Sequence, residues 1–138
     1  MKRHRLFITG ASGFIGTNLI ESLDADRWEV VNFDPEPPLD SSQEGCWLEG
    51  DIMDRDRLRK ALAKFEPHAV VHMAARTDCD EETVVEPDYH VNTTGTLNVV
   101  DATRESGGVQ RFVMVSTQFV IRPDIPVTDP YEYDPHTV

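Results

Sequence analysis

Cysteine is scarce in this chain. Only Cys46 and Cys79 occur in 138 residues, and they match no metal-ligand or redox spacing; reduced thiols and a cytoplasmic location are expected. Basic charge is scarce too. Thirteen Lys and Arg stand against 25 Asp and Glu, a net charge of −12. A phosphate backbone selects the opposite balance, so nucleic acid is excluded as a partner. Long apolar runs are missing. The cluster Lys2-Arg3-His4-Arg5 has the look of a targeting segment, but the apolar stretch behind it breaks at Thr9-Gly10, far short of a membrane span. The five histidines are scattered and form no acid-supported pair at i, i+4, so no metal site is expected. Repeats and internal linkers are absent, and 138 residues with 39% hydrophobic content suit one domain.

What is present is a glycine pattern. Leu6-Phe7-Ile8-Thr9 runs into Gly10-Ala11-Ser12-Gly13-Phe14-Ile15-Gly16, with three glycines each three residues apart. A strand that meets such a turn and then a helix is built to hold a pyrophosphate. Gly10 and Gly13 let backbone amides approach an anion, Gly16 lets the helix lie close to the sheet, and the helix dipole faces the charge. The spacing differs from the G-x-G-x-x-G of most dinucleotide sites, and a lone turn of this kind also occurs without a ligand. A second strand, Glu29 to Phe33, ends in Asp34, 18 residues after Gly16. A carboxylate there can accept hydrogen bonds from adenosine ribose hydroxyls and repels a 2′-phosphate. No Arg or Lys lies between Pro35 and Asp54, so the pattern favours NAD over NADP. The competing reading of Asp34 is a solvated turn acid before Pro35.

Strands and helices alternate along the chain, which predicts an α/β fold with a doubly wound parallel sheet of Rossmann type in the order 3-2-1-4-5. Strands are expected at Arg5 to Thr9, Glu29 to Phe33, Cys46 to Glu49, Ala69 to Met73 and Arg111 to Ser116. Helix one starts near Gly13 with Ile15, Leu19 and Leu23 as its buried stripe. Asp54 caps a helix to Phe65, with Leu58, Leu62 and Phe65 inward and Arg55, Arg57, Arg59 and Lys60 toward water. Arg76 to Glu86 reads as a loop. A long helix follows from Pro87 to Glu105 and stops at Gly107-Gly108. After Thr117 the pattern is irregular. In this topology Gly10, His72 to Arg76 and Ser116-Thr117 converge at the carboxyl ends of the strands.

Taken in order, Thr9-Gly10-Ala11-Ser12-Gly13-Phe14-Ile15-Gly16, Asp34, Gly50-Asp51-Ile52-Met53-Asp54, His72-Met73-Ala74-Ala75, Val91 to Val100 and Phe112-Val113-Met114-Val115-Ser116-Thr117 resemble the amino-terminal part of the extended short-chain dehydrogenases/reductases. Within that group they resemble specifically the NAD-dependent epimerase/dehydratase family, which acts on nucleotide sugars. The resemblance implies that Gly10, Ser12, Gly13, Phe14, Ile15 and Gly16 surround the pyrophosphate of NAD. It places Asp51 and Ile52 at the adenine, the aliphatic chain of Ile52 against the ring. Ala74 and Ala75 would pack under the ribose and phosphates, and Asn92 would bridge the cofactor site and a main-chain group. Ser116 and Thr117 follow the last strand, with the Thr117 hydroxyl on the substrate hydroxyl being oxidised. His72 is expected to be a satisfied structural histidine, and Gly95 to serve close helix packing.

One feature of that family is missing. Tyr131 is followed four residues later by Pro135 and Tyr133 by Thr137, and no lysine follows Lys64. The Tyr-x-x-x-Lys pair that supplies the family's general base is therefore absent, and Asp134 to Val138 resembles the segment just before that tyrosine. The expectation is an NAD-binding domain over residues 1–138, cut before the catalytic helix and without its substrate domain. It would bind NAD weakly, turn over no nucleotide sugar by itself, and self-associate through an uncovered apolar face. Three other readings stay open: a non-catalytic NAD-sensing module, an atypical NADP-linked reductase, and a fragment with no independent function.

Overall fold

A computed structural model of the chain describes residues 2–77 and 89–117 together with Pro126, Thr128, Asp129 and Tyr131. Cys79, most of the loop after Arg76, the start at Pro87 of the long helix, Tyr133 and the terminal segment lie outside the described residues.

The apolar run after the basic lead-in forms β1 (His4–Thr9), and the chain then turns into α1 (Phe14–Ser22). β2 (Trp28–Asp34) leads through a 3-10 turn (Ser41–Cys46) to the short β3 (Trp47–Glu49). α2 (Arg55–Phe65) and β4 (Ala69–His72) follow. A π-helical stretch (Val91–Gly95) runs directly into α3 (Thr96–Ser106), and β5 (Arg111–Met114) is last. The strands form one five-stranded sheet in the order β3-β2-β1-β4-β5, and every pair is parallel. This is the doubly wound Rossmann-type arrangement that the alternation of elements predicts.

Side chains alternate across the sheet and divide the core in two. Phe7, Phe33 and Val70 face α2 and α3, meeting Leu58, Leu62 and Val99. Leu6, Ile8 and Ala11 face the other way, toward Leu19, Ile20 and Leu23 of α1. The Asp54 carboxylate accepts from the Arg57 amide at 3.0 Å, so α2 has the expected cap. Glu66 closes it in the left-handed conformation ahead of Pro67.

Four expectations are corrected. Ile15 is 63% exposed; buried Gly16 takes the sheet-facing place in α1, because only a residue without a side chain fits against the turn there. Arg55 and Arg59 do not simply face water. They reach across to Asp101 (3.2 Å) and Glu105 on α3. Cys46 closes the 3-10 turn rather than opening β3. The strand at Arg111 ends at Met114, and all four of its residues are exposed, so β5 is an outer strand of the described sheet with an apolar surface at Phe112, Val113 and Met114. Among the described residues no helix is long and apolar enough to cross a membrane, and no group of His, Cys, Asp or Glu is arranged to hold a metal ion.

Candidate functional site

The carboxyl ends of β1, β4 and β5 lie in register, with Thr9 beside His72 and His72 beside Met114. Gly10, Met73 to Arg76 and Ser116-Thr117 leave the sheet at this one end. The Met73 amide donates to the Thr9 carbonyl at 3.0 Å, and the Gly10 amide to the Phe33 carbonyl at 3.1 Å.

The three glycines have three different surroundings. Gly10 has φ +76°, and a Cβ on it would fall 2.5 Å from the backbone of Ala74. A Cβ on Gly16 would fall 2.2 Å from Ala11 Cα. Both are fixed by the protein's own backbone. A Cβ on Gly13 would meet nothing within 4 Å. Gly13 is also the N-cap of α1, with no side-chain cap hydrogen bond. The first-turn amides of a helix have no intrahelical acceptor, and the open side of Gly13 leaves the space in front of them clear of protein. Phe14 and Ile15 stand exposed beside it, at 77% and 63%.

The turn is tied to β2 by three polar side chains. Asp34 is buried at 7% exposure, and its carboxylate accepts from the Ser12 amide (3.0 Å) and the Glu36 amide (3.0 Å). It is thus no solvated turn acid. A carboxylate has about four acceptor sites, so two amides leave capacity for hydroxyl donors. The Ser12 hydroxyl donates to the Glu36 carbonyl (2.7 Å) and accepts from the Asn32 side-chain amide (3.0 Å). Its side chain braces the turn instead of opening to the crevice. Asn32 is fully buried, and its Oδ1 accepts from the Ala11 amide at 3.1 Å. Sequence reasoning passed over Asn32. The signal was a polar residue inside a buried apolar strand, which costs stability unless it is bonded.

At the tip of β3, Asp51 is exposed, and its Oδ1 accepts from the Met53 amide at 2.8 Å. Ile52 is 3% exposed in the main core, where its Cδ1 would lie 2.6 Å from a Cβ on Gly95. The Ile52 side chain is accordingly committed to packing under Gly95, and the Asn98 amide donates to its carbonyl at 3.0 Å. Ala74 is half-buried under Gly10, and Ala75 is exposed. Asn92 lies in the π-helical stretch, and its side-chain amide pairs with both main-chain groups of Arg76, accepting at 2.8 Å and donating at 2.9 Å. It therefore clamps the loop leaving β4. Ser116 and Thr117 are exposed just past β5.

His72 is the buried link beneath these segments, at 3% exposure. Its Nδ1 pairs with Thr9 Oγ1 (2.7 Å) and its Nε2 with Thr96 Oγ1 (2.9 Å). Burial pushes its pKa below the ordinary imidazole value. In the unfolded chain the ring takes up a proton near pH 6.5, and in the folded chain only at lower pH. Its contribution to stability is therefore complete above about pH 6.5 and is lost progressively as the pH falls from there through the lower folded-state pKa. Melting temperature is expected to drop between pH 7 and pH 5.5, and His72→Gln, which has no titrating ring, should flatten that slope. An unchanged slope would show that other groups set it.

A family model described as "NAD dependent epimerase/dehydratase family" matches residues 6–137. The chain is 34% identical over 123 residues to a 3-beta-hydroxysteroid dehydrogenase of Mycolicibacterium neoaurum, covering 85% of this chain and 33% of that protein. It is 32% identical over 124 residues to a UDP-glucose 4-epimerase of Rhizobium meliloti, covering 85% of this chain and 36% of that protein. The chain thus spans about a third of the length of these curated relatives. Its fold matches UDP-glucose 4-epimerase from Brucella ovis in complex with NAD, with TM-score 0.80 and 25% identity over 97% of this chain and 42% of that one. It also matches dTDP-4-dehydrorhamnose reductase from Bacillus anthracis in complex with NADP, with TM-score 0.74 and 28% identity over 91% of this chain and 40% of that one.

Proposed function

Because this chain belongs to the NAD-dependent epimerase/dehydratase family, we propose that it is the NAD-binding part of an enzyme that oxidises a hydroxyl of a nucleotide sugar. The observation that carries the reading is the contrast at the glycine turn. Protein backbone packs against Gly10 and Gly16, while the position of a Gly13 side chain is empty and faces an uncapped helix start. Such a cradle suits a diphosphate.

In this reading the amides of Gly13, Phe14 and Ile15 hold the pyrophosphate, with Gly10, Ser12 and Gly16 shaping the turn. Asp34, braced by the Ser12 and Glu36 amides, presents its remaining acceptor sites to the ribose hydroxyls. The same fixed negative charge repels a 2′-phosphate, which favours NAD over the NADP held by the Bacillus anthracis relative. Asp51 and the backbone of Ile52 border the adenine. Ala74 and Ala75 floor the crevice on a loop that Asn92 clamps through Arg76. Ser116 and Thr117 stand at the strand end beside it, and the Thr117 hydroxyl orients the substrate hydroxyl. NAD supplies a hydride acceptor when bound. The proton of that hydroxyl needs a positioned base, and the 138 residues contain no Tyr-x-x-x-Lys pair. A missing general base costs roughly 10²- to 10⁴-fold in rate, so the isolated chain binds the cofactor without turnover.

Calorimetry of the purified chain tests this directly. NAD should bind one-to-one and more tightly than NADP. Gly13→Val should weaken NAD at least about tenfold by filling the cradle, with the melting temperature in the absence of cofactor lowered only by the small amount that a poorer N-cap costs. Tighter binding of NADP, or no effect of Gly13→Val, would remove the reading.

A further inference from the structure

The outer edge of β2, on the side away from β1, holds a second concavity. β3 pairs only with Asn32 to Asp34, so among the described residues the first half of β2 has no strand neighbour on its outer edge. The gap is a groove of about 860 Å³ running round that edge between α1 and α2. Its lining is apolar and comes from both faces of the sheet, Leu23, Trp28 and Val30 on the α1 side and Val31 and Phe65 on the α2 side, together with Trp47 and Leu48 of β3. Apart from exposed Leu48, these side chains are only half-buried. The volume lies within the range of about 300–1,000 Å³ common for small-ligand sites.

The rim has the opposite charge to the molecule. Arg3, Arg57, Lys60 and Lys64 line the groove, against a single acid, Glu29, in a chain whose acids outnumber its bases 25 to 13. Helix geometry sorts the cations of α2. Arg55 and Arg59 project to one side and pair with Asp101 and Glu105 of α3. Arg57, Lys60 and Lys64, at spacings of three and four, project to the other side. Among the described residues none of these three has a carboxylate within salt-bridge distance. Three unpaired cations on one helix stripe above an apolar floor match a ligand with an apolar body and a single anionic head.

We propose that this groove is a binding site for a soluble amphipathic organic anion of the fatty-carboxylate class. The carboxylate meets Lys60, Lys64 and Arg57 at the mouth, and the apolar tail passes along Phe65 and Val31 and round the edge of β2 toward Trp28 and Val30. The groove lies along the outer edge of β2, on the side away from β1, and includes neither the glycine turn nor Asp34.

The test is calorimetric titration of laurate, kept below its micelle concentration, into the full chain. Saturable one-to-one binding is expected, with none of dodecyltrimethylammonium, which carries the same tail under a cation. The double variant Lys60→Glu/Lys64→Glu should weaken laurate by about tenfold or more, without changing the melting temperature or NAD binding. Glu29→Gln should strengthen laurate. Equal binding of the cationic detergent, laurate binding indifferent to the charge reversals, or binding only to anionic phospholipid vesicles would each overturn the assignment.

Discussion

Gly16→Ala is expected to destabilise the chain by about 3 kcal/mol or more, seen as a lower urea midpoint. The new Cβ would fall 2.2 Å from Ala11 Cα and 2.4 Å from the Ala11 carbonyl oxygen. Neither can give way easily. The Ala11 amide is bonded to Asn32 and the Ser12 amide to Asp34, so the turn is pinned to β2 on the side that would have to move. Gly10→Ala should be comparably costly, because its Cβ would meet Ala74 at 2.5 Å and φ +76° is unfavourable to any side chain. Gly13→Ala should cost much less, about 1 kcal/mol or below, since the site has room and only the N-cap preference for glycine over alanine is lost. Equal losses at all three positions would mean that the turn is not packed as described.

Asp34→Ala is the second large effect, and it acts on fold and ligand together. The carboxylate is buried and accepts from two backbone amides, one in the glycine turn and one in the loop after β2. Truncation leaves both amides without their acceptor. Hydrogen bonds to a charged group contribute about 1.5–3 kcal/mol each, and a total loss of about 2–4 kcal/mol is expected once the loop relaxes. Asp34→Asn keeps an acceptor for Ser12 and should lose about half as much stability. Both variants should lose NAD affinity, and Asp34→Asn should narrow the preference over NADP because the repelling charge is gone. A variant that keeps full NAD affinity would show that Asp34 serves the turn alone. Calorimetry beside urea denaturation separates the two outcomes.

Legibility varied along the chain for identifiable reasons. The strands of the sheet could be placed because parallel buried strands read as short apolar runs between turn residues, and the crossover rule then left one order. Asp54 as a cap and His72 as a satisfied histidine were readable because each obeys a local rule. The stripe of α1 misled at Ile15, since periodicity counts apolar side chains and cannot register a glycine that takes the buried place. Arg55 and Arg59 read as solvent-facing in the helical pattern because their partners, Asp101 and Glu105, are more than forty residues away. Ser12 and Asn32 illustrate the same limit, since the bonds that hold the glycine turn cross from one strand end to another.

The sequence alone determined the element order, the glycine turn and the acid that closes the second strand, because these follow from hydrophobic period and from what a residue permits its own backbone. Tertiary structure decided which of the glycines is jammed and which stands open, that Asp34 is buried under the turn, and that three cations of one helix gather over an apolar groove. Those outcomes depend on distances between segments remote in the chain, which are set when the sheet assembles and are written in no single stretch of residues.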